Sequence, residues 1–138
     1  MTLIHEALVV VHRPVAEYLV LLRSPEDHGY WHLVAGGIEE GEAPDAAARR
    51  ELEEETGLGE PVRFERLPLP LGYRRADSTE VRLHPFVAEA PAGWEPVLNE
   101  EHVEYRWCSQ QEADRLLEYW EPRAAIDVVE QRRRRMGA

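Results

Sequence analysis

Residues 36–58 read GGIEEGEAPDAAARRELEEETGL, from Gly36 to Leu58, and this stretch decides the fold. Its second half is a helix by composition: Ala46, Ala47, Ala48 and Leu52 are strong helix formers, as are the interleaved Glu and Arg residues. Pro44 suits the first turn, where a backbone N–H has no helical partner anyway. Gly57 is a natural terminator, because glycine adopts the left-handed conformation that closes a helix. Glu51, Glu54 and Glu55 stand at i, i+3 and i+4 and therefore share one helical face. Like charges at that spacing repel, and a hard divalent cation such as Mg²⁺ or Mn²⁺ relieves the repulsion through carboxylate oxygens. Arg50, four residues before Glu54, can also partner that row, whereas Glu53 points to solvent. The Gly36-Gly37 pair ahead of the helix allows close backbone approach, so a carbonyl there can join a metal shell.

The charge distribution points to the same place. The 138-residue chain has a formal net charge of −11, and its sixteen basic residues are all arginine. Residues 39–60 alone hold nine carboxylates against Arg49 and Arg50, a local net of −7. Such acidity excludes general binding to a nucleic acid polymer, which needs a basic surface to release counterions. Cys108 is the only cysteine, so neither an internal disulfide nor a cysteine-based zinc site is available. No apolar run approaches the roughly 18 residues of a membrane span. The N-terminus lacks a signal peptide's basic start and cleavage site, so a cytoplasmic location is expected.

Outward from the helix, the chain reads as alternating strands and helices in one domain, residues 1–138, without repeats or linkers. Leu3 to Val11 and Tyr18 to Leu22 are strand-like and separated by a turn at His12-Arg13-Pro14. Ser24 to Tyr30 is a loop, and Trp31 to Ile38 reads as irregular. Residues 61–75 and 80–90 read as two strands, 91–99 as a loop and 102–108 as a short strand. Ser109 and Glu112 form a capping-box pattern that begins a second helix. Pro122 marks a further helix start, with Ala125, Ile126 and Val129 as its apolar stripe. Trp107, Trp120 and Ile126 read as core, and Arg132–Arg135 as a solvated, frayed tail. Strands mixed with helices predict an α/β layered domain.

The same 23 residues resemble the Nudix box, Gly-x5-Glu-x7-Arg-Glu-U-x-Glu-Glu-x-Gly-U with U apolar. Gly36, Glu42, Arg50, Glu51, Leu52, Glu54, Glu55, Gly57 and Leu58 match it at every fixed position. The resemblance implies the Nudix fold, an α/β/α sandwich with a central mixed sheet in which the box forms a loop–helix–loop. It implies Mg²⁺-dependent hydrolysis of a nucleoside diphosphate linked to a further group, with Mn²⁺ as a substitute. Glu51, Glu54 and Glu55 are then the metal ligands, joined by the Gly36 carbonyl and by Glu101 from outside the helix. Arg50 orients a metal-binding glutamate, and Glu42 is a structural or outer carboxylate of the loop. The general base is either Glu55 or a fourth carboxylate from outside the helix. Glu101, six residues before Trp107, resembles the family's Glu-x5-Trp element and is the leading candidate, with Glu100 and Glu104 as rivals. The resemblance also leaves room for a homodimer.

The box identifies the reaction rather than the leaving group. Segments 101–107 and 120–126, with Leu22–Gly36 more loosely, resemble the bacterial branch that hydrolyses dATP and dihydroneopterin triphosphate. The expected substrate is therefore a small nucleotide or pterin polyphosphate, cleaved to a monophosphate and pyrophosphate. Such a substrate needs aromatic platforms and phosphate donors, for which Arg23, Trp31, Tyr73, Arg74, Arg75 and His84 are the candidates. Diadenosine polyphosphate, ADP-ribose, nucleotide-sugar and oxidised-nucleotide hydrolysis stand as alternatives, as does a nucleotide-sensing module without catalysis. An isoprenoid diphosphate isomerase would need a reactive cysteine, and Cys108 lies far in sequence from the glycine loop.

Overall fold

The computed structural model describes residues 2–137, and it places an eight-stranded mixed sheet between helices on both faces. β1 (Leu3–Arg13) is the spine. It runs parallel to β7 (Glu80–Glu89), with Leu3 opposite Glu80 and His12 opposite Glu89. Among the strand pairs of the described residues this one alone is parallel. Five consecutive residues of β1, Ala7 to Val11, are buried, as expected of a strand covered on both faces.

Alternation along β1 sorts two cores. Ala7, Val9 and Val11 face α1 (Pro44–Thr56), where they meet Ala47, Ala48, Leu52 and Phe86. Leu8 and Val10 face the opposite layer, with Ala113 of α2 (Gln110–Leu116) and Ala125, Ile126 and Val129 of α3 (Trp120–Gly137). The predicted α/β/α sandwich is thus observed. No helix is long and apolar enough to cross a membrane among the described residues.

One feature of the sheet positions the site. β1 and β2 (Glu17–Arg23) pair only near their hairpin, His12 with Tyr18 and Arg13 with Glu17. Beyond that they part. β1 takes β4 (Val34–Gly37) as its neighbour. β2 takes β3 (Trp31–His32) and β8 (His102–Cys108). The splayed strands leave a cleft that α1 closes on one side.

Several expectations are corrected. The stretch Trp31 to Ile38, expected to be irregular, supplies β3 and β4, because Val34 to Gly37 pair with β1 despite their small side chains. Residues 61–75 are two strands, β5 (Arg63–Arg66) and β6 (Leu71–Arg74). Pro68 and Pro70 interrupt them, since proline has no N–H for the ladder with β7. α3 begins at Trp120, before Pro122, which falls in its first turn. Trp120 is 56% exposed rather than core, because that turn buries Glu121 and Pro122 instead. Trp107 is half-buried, its indole N–H donating to Glu95 at 2.9 Å, while Ile126 is core as expected. Arg132–Arg135 are helical rather than frayed, and Arg133 and Arg134 both pair with buried Glu130.

Candidate active site

α1 begins at Pro44 and is closed by Gly57, whose left-handed backbone (φ 81°) donates its N–H to the Glu53 carbonyl at 2.9 Å. The helix turns Leu52 into the sheet and carries Glu51 and Glu55 with it: both carboxylates are buried, while Glu53 and Glu54 are exposed. Arg50 organises the polar side. Its Nε and Nη2 donate to the two oxygens of Glu42 at 2.8 and 2.9 Å, a bidentate pairing. Its Nη1 donates to Glu51 at 2.8 Å and to Glu54 at 3.5 Å, and its Nη2 also reaches the Gly37 carbonyl at 3.0 Å. Glu42 is held down to about 2 by the Arg50 guanidinium and, after it, by the backbone N–H of Glu39.

Glu51 and Glu55 lie side by side at the cleft. Burial pushes both carboxyls up, and for Glu55 the neighbouring Glu51 adds to the rise. The Ala35 N–H donates to Glu55 at 3.4 Å. Gly36 packs so closely on the helix that a Cβ there would overlap the Glu51 carboxylate. Two buried carboxylates in contact demand a proton or a cation, and the donor set is all oxygen, as Mg²⁺ or Mn²⁺ prefers. Among the described residues, no three His, Cys, Asp or Glu side chains converge as a formed metal cage. One oxygen each of Glu51 and Glu54 is turned toward Arg50. The residues fit a divalent cation by chemistry, with Glu51, Glu54, Glu55 and the Gly36 carbonyl as the available donors.

Glu101 is exposed at the cleft rim, close enough for its charge to raise Glu55. Asn99 restrains it twice, donating Nδ2–H to its carboxylate at 3.2 Å and accepting its N–H at 3.1 Å. Its rival Glu104 pairs with Arg106, on an exposed stretch of β8. His102 was not singled out by sequence. It is buried, its Nε2 stands 3.9 Å from Glu55, and burial followed by the Arg23 charge pushes it down to about 4. The only sequence signal for it is adjacency to Glu101.

The substrate candidates separate. Arg23 lies in the cleft, its guanidinium 5.4 Å from the Tyr30 ring and its charge felt by both His32 and His102. Tyr73, Arg74 and Arg75 line a cavity of about 610 Å³, together with Glu6, Tyr30, His32, Tyr119 and Glu121. Tyr73 and Arg75 each donate to Glu6 at 3.2 Å. Two candidates lie elsewhere. Trp31 packs against the α2–α3 core with Arg106 over its ring, outside the cavity lining. His84 follows the cavity-lining Leu83 and therefore points to the other sheet face, between His5 (2.9 Å) and Arg66 (2.6 Å). Glu6, Tyr30, Tyr119 and Glu121 were not proposed from sequence because they come from three separate segments that only the fold brings together.

The NUDIX domain profile matches residues 3–128. The chain is 36% identical over 108 residues to an octanoyltransferase of Myxococcus xanthus, a match spanning 73% of this chain and 29% of that protein's length. It is 28% identical over 134 residues, 87% of each chain, to the dihydroneopterin triphosphate diphosphatase of Escherichia coli. The structure of the E. coli dihydroneopterin triphosphate pyrophosphohydrolase superposes with a TM-score of 0.79 at 24% identity, covering 92% of this chain and 96% of that one. At that identity the superposition speaks for the fold alone.

Proposed function

Since this chain belongs to the Nudix family of hydrolases acting on pyrophosphate bonds, we propose that it cleaves a (deoxy)nucleoside or pterin triphosphate to the monophosphate and pyrophosphate. The observation that carries this reading is the buried carboxylate couple, Glu51 and Glu55, on a helix whose polar side Arg50 organises; Arg23 beside the cavity-lining Tyr30 supports it. Mg²⁺, or Mn²⁺ in its place, would be held by Glu51, Glu54, Glu55, the Gly36 carbonyl and Glu101. Bound there, it would neutralise phosphoryl oxygens and make a bound water acidic at neutral pH.

The chain's own residues supply the rest. Arg50 keeps Glu51 in one orientation while tying the loop through Glu42 and Gly37. Glu55 or Glu101 takes the proton of the attacking water; Glu55 is itself a member of the buried couple, and Glu101 is the more accessible. Arg23 meets the phosphates on their way from the cavity to the glutamates. The reading accords with the dihydroneopterin triphosphate diphosphatase relative, which this chain matches over 87% of both lengths. Tyr73 in the cavity wall is the one observation favouring dinucleoside polyphosphates instead. Cys108 is buried in the α2–α3 core, which weighs against isomerase chemistry.

The test is a panel of dNTPs, NTPs, dihydroneopterin triphosphate, diadenosine tetraphosphate and ADP-ribose, with Mg²⁺ or Mn²⁺. Release of pyrophosphate from a mononucleoside or pterin triphosphate, ahead of the dinucleotide substrates, is expected. Turnover confined to diadenosine tetraphosphate or ADP-ribose, or no turnover with tight nucleotide binding, would overturn it.

A further inference from the structure

The cavity wall includes a carboxylate in the first turn of α3 whose acceptors are open. Glu121 opens α3 and is 7% exposed. Among the described residues no hydrogen bond or ion pair reaches it. Its carboxylate oxygens are not sealed off from solvent, so they face the water of the cavity and are free to accept from a ligand. Its neighbour in the cavity wall is different: Glu6 already accepts one hydrogen bond on each oxygen, from Tyr73 and Arg75. Glu121 therefore holds the open pair of acceptors.

The remaining walls say what shape the partner has. Tyr30 and Tyr119 stand edge to face, 5.4 Å between centroids, and Tyr73 closes another side. Tyrosine walls suit a flat heteroaromatic ring. His32 also lines the space, and its Nδ1 is buried with no protein partner.

We propose that Glu121 is a specificity-determining residue that reads a 2-amino-4-oxo pyrimidine edge, the edge shared by guanine and pterins. A carboxylate with both oxygens open matches two parallel donors, the ring N–H and the adjacent exocyclic amino group. Adenine and cytosine offer a ring nitrogen lone pair at that position, which a carboxylate repels. Hypoxanthine offers the ring N–H but no second donor. The inference rests on the reading above only in taking the cavity to hold the ring of the substrate.

Binding of the product-like monophosphates GMP, IMP and AMP, measured by isothermal titration, tests it without requiring turnover. Wild-type protein should bind GMP about tenfold more tightly than IMP and about a hundredfold more tightly than AMP, the scale of lost hydrogen bonds to a buried charge. Glu121→Gln puts a donor and an acceptor side by side, the complement of the adenine edge, and should shrink the GMP:AMP ratio at least about tenfold. A thermal melt of the variant checks that it is folded, and the wild-type comparison stands without it. Equal binding of GMP and AMP, no binding of any of the three, or an unmoved ratio in folded Glu121→Gln overturns the proposal. A GMP preference in a protein that hydrolyses no triphosphate would support the ring reader and refute the triphosphatase reading.

Discussion

The Glu51 carboxylate occupies the space that any side chain at Gly36 would need. What would have to move is the far end of a flexible side chain, not backbone, so the fold can absorb a methyl group there. Gly36→Ala should therefore cost less than about 1 kcal/mol of stability. It should nevertheless lower kcat by about a hundredfold, because displaced catalytic groups lose that much for shifts near 1 Å. Parallel thermal melts and kinetics check this; an active Gly36→Ala protein would mean that the position of Glu51 does not matter.

Glu54 differs from its two partners in burial. Its side chain is half exposed and touches only Arg50, at 3.5 Å. Glu54→Gln should leave stability within about 0.5 kcal/mol of wild type. If it is a metal ligand, Mg²⁺-dependent turnover should fall by at least about a hundredfold. Near-wild-type turnover would remove Glu54 from the reaction.

The acidic window should respond to metal in the absence of substrate. Burial and the neighbouring Glu51 push the Glu55 carboxyl up, so without metal the pair shares a proton, and a bound cation takes that proton's place. At tenfold excess over Kd, Mg²⁺ should add about 1.4 kcal/mol. That is roughly 3–5 °C in Tm for a chain of this size. The triple change Glu51→Gln, Glu54→Gln, Glu55→Gln should abolish the shift. A shift that survives it would place the cation elsewhere.

The box helix was legible because its signals are local. Pro44 and Gly57 bound it in the structure as in the sequence, and the Ser109–Glu112 capping box forms with both of its hydrogen bonds. β3 and β4 were not legible, since two and four residues become strands only when β2 and β1 respectively offer an edge. The cavity was legible in part. Tyr73, Arg74 and Arg75 lie on one hairpin and could be proposed together, but Glu6, Tyr30 and Glu121 meet them only through tertiary packing. His84 lies off this cavity because one residue along a strand reverses the face, and nothing in 80–90 says which face lines it.

The chain's end yields a pH dependence whose sign is fixed by Glu130. Its buried carboxylate accepts from the Tyr18 hydroxyl at 2.6 Å, from Arg133 on both oxygens and from Arg134 at 3.2 Å. Arg133 chiefly holds it down to about 2, from an ordinary value of 4.5. A depressed carboxylate contributes its full stability above the unfolded value and loses it as pH falls toward the folded one. Glu130→Gln should therefore lower stability at pH 7 by about 2 kcal/mol, the cost of weakening a buried charged network. That corresponds to about 6 °C in Tm. The gap between wild type and variant should stay constant from pH 7 to about 5 and close between roughly pH 4.5 and 2. Melts of both proteins across that range check it. A gap that persists at pH 2, or none at pH 7, would mean that the arginines on α3 leave Glu130 energetically indifferent.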